Sequence, residues 1–202
     1  MEVIVQGQST KNFLIIVKDE HGEDQFNISD LLLIDENDLE REVKHCAADE
    51  HYWHQLAIDA DHQREEFEKI DYAQYIAHTE KYAKYYLKGS GDKNFTGAAR
   101  ESAAMLIFSR KATEDDKKVY AETAYKGYTS ETSSIGVKSK SLGEFTDDMF
   151  LYDPTYEDAQ THLLALKHRA ERLKAVSSAF NTKSWSIKTL AADRRAAMQS
   201  NI

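Results

Sequence analysis

The sequence predicts a mainly α fold of long amphipathic, coiled-coil-type helices, with a small β-hairpin element at its N-terminal end. Three observations point there. Only one proline occurs in 202 residues, and proline interrupts helices. From residue 38 to 88 there is neither Gly nor Pro. From Tyr156 to Phe180 apolar residues recur at alternating spacings of three and four. A hydrophobic content of 41% can support a core, and 30% charged residues suit long exposed helical surfaces.

Residues 1–36 read as an acidic β element. EVIV (2–5) and NFLIIV (12–17) are β-branched runs separated by the turn-forming QGQST, and a short QFNI strand follows the turn at 19–24. An isolated hairpin is marginal in water, so it must pack on a helix or on another subunit. Residues 37–127 form a helical region. Asn37 lies three residues before Glu40, a helix-start signature. The 38–88 stretch is one long helix, or two with a break near His45–Asp49. Its apolar stripe runs through Trp53, Leu56, Ala60, Phe67 and Ile70, then shifts to Ala73, Ile76, Ala83 and Leu87, as a stutter produces. GSGDKN (89–94) ends it. Residues 98–109 read as a helix. Thr113 caps the next, with Glu114, Asp115 and Asp116 at its positive end, and this helix is expected to run to Tyr125 and stop at Gly127.

Residues 128–152 are expected to be a flexible loop: the stretch 128–144 has seven Ser or Thr, two Gly and no apolar period. Residues 153–202 are the C-terminal coiled-coil helix and basic tail. Asp153 is expected to cap, with Pro154 in the first helical position. The seam is Tyr156, Ala159, Leu163, Leu166, Ala170, Leu173 and Phe180, broken at Ser177, and needs a facing helix from 38–88 or from a neighbouring subunit. A break is expected at Asn181–Ser184, before a terminal segment Trp185–Met198.

Charge is unevenly placed. The chain carries −9, yet residues 166–202 hold eight Lys or Arg against two acidic residues, while residues 1–50 hold four against thirteen. The longest apolar runs, FLIIV and LLLI, are far too short to span a bilayer, so no membrane role is expected. No basic-then-apolar secretory leader is expected, and a single cysteine, Cys46, excludes an internal disulfide framework; an intracellular protein is expected.

Catalytic and metal-binding motifs are sparse. His51 with His54, and Asp59 with His62, are three apart, but a bundle metal site needs matching ligands on other helices. His162 and His168 are six apart and face different ways. Cys46 lies among acidic residues, which disfavours its thiolate. There is no GxxxxGK, GxSxG or paired CxxC. No enzyme activity, metal or cofactor is expected.

Two stretches mix cations with aromatics, the composition of single-strand nucleic-acid sites. One is YAQYIAHTEKYAKYYLKGSGDK (72–93), with Lys81, Lys84, Tyr85, Tyr86 and Lys88. The other is KSWSIKTLAADRR (183–195), with Lys183, Trp185, Lys188, Arg194 and Arg195. In the second, Trp185, Ile187 and Leu190 are expected to join the seam residues Leu163, Leu166, Leu173 and Phe180 in driving assembly, leaving the cations to meet phosphate. Tyrosine at helical spacing also serves as core, with lysine as a solvated rim.

YYLKGSGDKNF (85–95) and KSWSIKTLAADRR, the latter entered through the long helix YDPTYEDAQ…LKHRAERLKAVSSAF, resemble the phage recombination mediator family, the UvsY-like proteins. The resemblance covers mainly 72–95 and 153–198. It implies a helical homo-oligomer, a ring, that binds single-stranded DNA and contacts a recombinase and a single-strand-binding protein. Such a protein loads the recombinase onto covered DNA, performs no bond chemistry, needs no cofactor, and acts in the host cytoplasm as a phage product. The acidic N-terminal block is an addition to the family pattern and could compete with DNA for the basic patch. A coiled-coil scaffold or assembly protein of a phage particle, without nucleic-acid binding, explains the heptads and acidity as well. A carboxylate–histidine metalloenzyme is the third reading.

Overall fold

A computed structural model describes residues 2–9, 12–19, 22–152 and 155–200. It is mainly α-helical, with a small antiparallel sheet at the N-terminal end, as the sequence predicts. The chain divides into two compact units: residues 1–65 with 165–202, and residues 66–164.

In the first unit, β1 (Glu2–Ser9), β2 (Asn12–Asp19) and β3 (Gly22–Asn27) form an antiparallel sheet in that order. Val3 faces Val17 across β1–β2, and Val17 faces Asp24 across β2–β3. The third strand thus starts earlier than QFNI, and Ile28 already belongs to the short helix α1 (Ile28–Leu31). Strand alternation puts Ile15 and Val17 on one face, where they are buried with Ile28, with Trp53, Leu56, Ala57 and Ala60 of α2 (Leu39–Glu66), and with Ala170, Leu173, Val176 and Phe180 of α7 (Tyr156–Ser200). The sheet obtains the cover it needs from its own chain.

Helix α2 has no break near His45–Asp49. Its start differs from the expected Asn37–Glu40 signature. A short 3₁₀ turn, Glu36–Asp38, precedes it; the Asp35 side chain accepts from the Asn37 amide and Asp38 Oδ1 accepts from the Arg41 amide at 3.2 Å. Asp38 stands one position before the first helical residue, where a carboxylate reaches the orphan amides.

Helix α7 is uninterrupted, which corrects the break expected at Asn181–Ser184. Its mid-helix hydroxyls bond back one turn, Thr182 to the Ser178 carbonyl and Ser186 to the Thr182 carbonyl, both at 3.0 Å, so they do not compete with the helix. Asp153 and Pro154 lie outside the described residues. Thr155 and Asp158 make the reciprocal capping contact instead. The seam is buried except for half-buried Leu166, and Val176 takes the core position where Ser177 interrupts the pattern. It continues through Ser184 and Ile187. In this unit its facing helix is α2: the Trp53 and Phe180 rings stack at 5.6 Å.

The second unit holds a π-helical turn (Phe67–Tyr72), α3 (Ala73–Ser90), α4 (Gly97–Ile107), α5 (Glu114–Ser134), α6 (Leu142–Met149) and the first turns of α7. The π turn inserts one residue where the apolar stripe shifts phase. Beyond it the buried stripe is Tyr75, Thr79, Tyr82, Ala83 and Leu87; Ile70 and Ala73, expected on it, are exposed. Gly91, at φ +80°, ends α3 as expected. Thr113 and Asp116 form a full capping box on α5, and Thr96 caps α4.

Helix α5 does not stop at Gly127. A Cβ there would lie 2.0 Å from the Tyr85 carbonyl oxygen, and one at Gly89 would lie 1.8 Å from that of Thr123. The two glycines let the α3 and α5 backbones touch; they do not end a helix. The expected 128–152 loop shrinks accordingly. α5 continues to Ser134, with Thr129 and Thr132 bonding back to the Tyr125 and Tyr128 carbonyls. Ser141 and Glu144 form a capping box that starts α6. Tyr128 stacks on Phe145 at 5.0 Å, the tertiary contact that composition did not reveal.

Candidate nucleic-acid interface

The two predicted patches fare differently. On α3, the aromatic residues are structural. Tyr85 packs edge-on against Tyr128 at 5.5 Å and Tyr86 against Tyr120 at 5.7 Å. Burial raises the Tyr85 hydroxyl pKa and pushes that of Tyr82 up to about 12. Tyr85 and Tyr86 are thus half-buried in packing between α3 and α5, the core role that tyrosine at helical spacing also allows. Lys84 and Lys88 both reach Glu131 on α5, each at 3.3 Å. Partial burial works to raise the Glu131 pKa, but the two ammonium groups outweigh it and hold the carboxyl below its usual range. Lys81 is exposed, its ammonium 5.3 Å from the Tyr82 ring centre.

The C-terminal patch splits between the two sides of α7. Lys183 is on the buried side: its ammonium lies 2.9 Å from Glu42 Oε2 and donates to the Leu31 carbonyl at 2.8 Å. This corrects its assignment as a phosphate contact. Ile187 is buried and Leu190 half-buried. Leu163, Leu173, Phe180 and Ile187 are thus spent inside the chain, and Leu166 partly so, which corrects their assignment to an interface between copies. Trp185 is 69% exposed. Lys188 and Arg195, three and ten residues beyond it, share its helix face and are exposed. Lys188 makes no ion pair among the described residues. Arg195 donates from Nε to its own helix at the Ala191 carbonyl.

Arg194 donates to the Glu36 carbonyl at 2.8 Å. With Arg195, Ala191 and Met198 it lines one side of an open groove of about 660 Å³, and Asp38 with the start of α2 (Glu40, Lys44) lines the other. The chain therefore brings Trp185, Lys188, Arg194 and Arg195 together on one helix end, buries Lys183, holds Lys84 and Lys88 in surface ion pairs with Glu131, and half-buries Tyr85 and Tyr86. Sequence reasoning missed the neutralising partners: Glu42 and Glu131 lie far from their lysines along the chain, and no local pattern marks them.

His51 and His54 are exposed beside a shallow groove with Ser177 and Asn181. Asp59 accepts from Gln55. His162 packs on Phe67, and His168 lies 3.8 Å from Glu171. Among the described residues no group of three or more His, Cys, Asp or Glu is placed to hold a metal ion, and no helix is long and apolar enough to cross a membrane. Cys46 is buried. Comparison with protein-family models, curated proteins and solved structures finds no match to this chain.

Proposed function

We propose that the chain is a recombination mediator: a homo-oligomeric single-stranded DNA binder that helps load a recombinase onto DNA covered by single-strand-binding protein. The supporting observation is the exposed Trp185–Lys188–Arg195 face, an aromatic surface flanked by cations on a rigid helix. Trp185 and Arg195 are ten residues apart, about 15 Å along the axis. A base stacked on the indole is worth ~1–3 kcal/mol, and neighbouring cations hold the phosphates on either side. So few cations per chain bind weakly; repeating them in an assembly supplies affinity through effective concentration. The acidic start of α2 beside Arg194 and Arg195 is an internal competitor that DNA must displace, in keeping with the acidic block of residues 1–50.

The particle-scaffold reading loses its main motive, because the described heptad residues are largely covered within the chain and do not call for a second copy. Assembly of the mediator then uses a different face from the seam. The test is tryptophan emission on titration with oligo(dT), with oligomer mass measured in parallel. Trp53 is 2% exposed, so quenching reports Trp185. Strong quenching of an oligomer supports the reading; unchanged emission at saturating DNA and low salt overturns it.

A further inference from the structure

The π turn at Phe67–Tyr72 builds something that an α-helix would not. Its i→i+5 bonding sets residues five apart one above the other, whereas on an α-helix they point about 140° apart. Phe67 and Tyr72 consequently share a side, with ring centres 6.3 Å apart. Together with Tyr75 of α3, Tyr152, and Ala159 and His162 of α7, they line a cavity of about 450 Å³. That is the size of small-ligand sites.

The lining chemistry is specific. Four aromatic rings face one cavity, and Tyr75 meets Tyr152 edge-on at 5.9 Å. Asp71, Gln74 and Asp158 complete the wall, and among the described residues no Lys or Arg lines it. The Asp158 carboxylate is engaged by Thr155 and Arg110. Asp71 is exposed and carries the negative charge that remains. The Tyr75 side chain is buried at 4% exposure, and its hydroxyl has no hydrogen-bond partner. Burial raises its pKa, so it stays a neutral donor.

We propose that this cavity binds an alkylammonium group. Aromatic faces attract a cation through the ring quadrupole, most strongly when the cation is poorly hydrated, as alkylated ammonium is. Asp71 supplies the counter-charge, and the absence of a lining cation removes competition. Tyr75 offers a hydroxyl to an acceptor carried by the same ligand.

The test is calorimetric titration of the full chain with choline and with its neutral isostere 3,3-dimethylbutan-1-ol. A peptide carrying trimethyllysine forms a third arm, and the tighter of the two cations shows whether the group arrives free or on a protein side chain. A preference for cation over isostere of about tenfold is expected. Asp71→Asn, at an exposed position, should weaken choline several-fold and leave the isostere unchanged, with unaltered far-UV circular dichroism. Equal affinity for choline and the isostere overturns the proposal, as does no binding of either cation at millimolar concentration.

Discussion

Lys183→Met separates the two roles open to this lysine. The wild-type ammonium is 2.9 Å from Glu42 and 2.8 Å from the Leu31 carbonyl, and only 8% of the side chain is exposed. Methionine keeps most of the packed stem but none of the charge. Glu42, itself 21% exposed, then loses its cation. Breaking a fully buried pair costs about 3–5 kcal/mol, and water reaching Glu42 recovers part of that, so the expected loss is about 2–3 kcal/mol. Urea denaturation followed by the emission of Trp53, stacked on Phe180 in this unit, reads it directly. Adding Glu42→Gln removes the orphaned carboxylate and should return about 1–2 kcal/mol, closing a double-mutant cycle. Stability within about 0.5 kcal/mol of wild type, coupled with lost affinity for single-stranded DNA, would refute the reasoning: the lysine would then be free to meet phosphate.

Gly127→Ala places a Cβ 2.0 Å from a backbone oxygen that cannot yield by rotating, so the α3–α5 contact must open, at a cost of about 1–3 kcal/mol or more by thermal melting. Gly143→Ala is the control: it lies in α6 with nothing within 4 Å of its Cβ, and helix propensity should raise stability by about 0.5–1 kcal/mol. His78 supplies a pH dependence. Burial pulls its pKa below the usual 6.5, outweighing the bond to the Met149 carbonyl at 3.1 Å and the nearby Asp148, and in the same direction as Lys81. The folded state binds that proton less readily than the unfolded chain, so this contribution is complete above pH 6.5 and is lost as pH falls through 6.5 towards the folded pKa. The drop in stability between pH 7 and pH 5.5 should be smaller in His78→Asn than in wild type.

What the sequence revealed was local. The Thr113 cap, the Gly91 stop, the heptad seam and the β-branched strands each carry their signal within a few residues, and each is present. The phase shift near residue 70 was legible as a stutter, but its form as a π turn was not, and neither was the aromatic cavity that it builds. Ser and Thr in 128–134 look like loop composition; they are helical because Tyr128 packs on Phe145 and their hydroxyls bond back to the helix. Gly127 reads as a stop and is a crossing point. At the candidate site, composition located the cations but not their partners. Lys183 and Lys188 look equivalent in sequence; Lys183 is an internal strut through Glu42, and Lys188 is exposed.

Single-stranded DNA is proposed to meet the exposed C-terminal face. Fluorescence anisotropy of a labelled oligonucleotide, titrated at two salt concentrations with wild type and with Lys188→Ala/Arg195→Ala, tests this contact most directly. Tight binding at low salt is expected, with a log–log salt slope of about −0.7 for each phosphate contacted. The variant should lose at least about tenfold in affinity, with the fold and oligomer mass unchanged. Affinity that is the same in the variant, or no binding by the folded wild-type protein at low salt, would contradict the proposal.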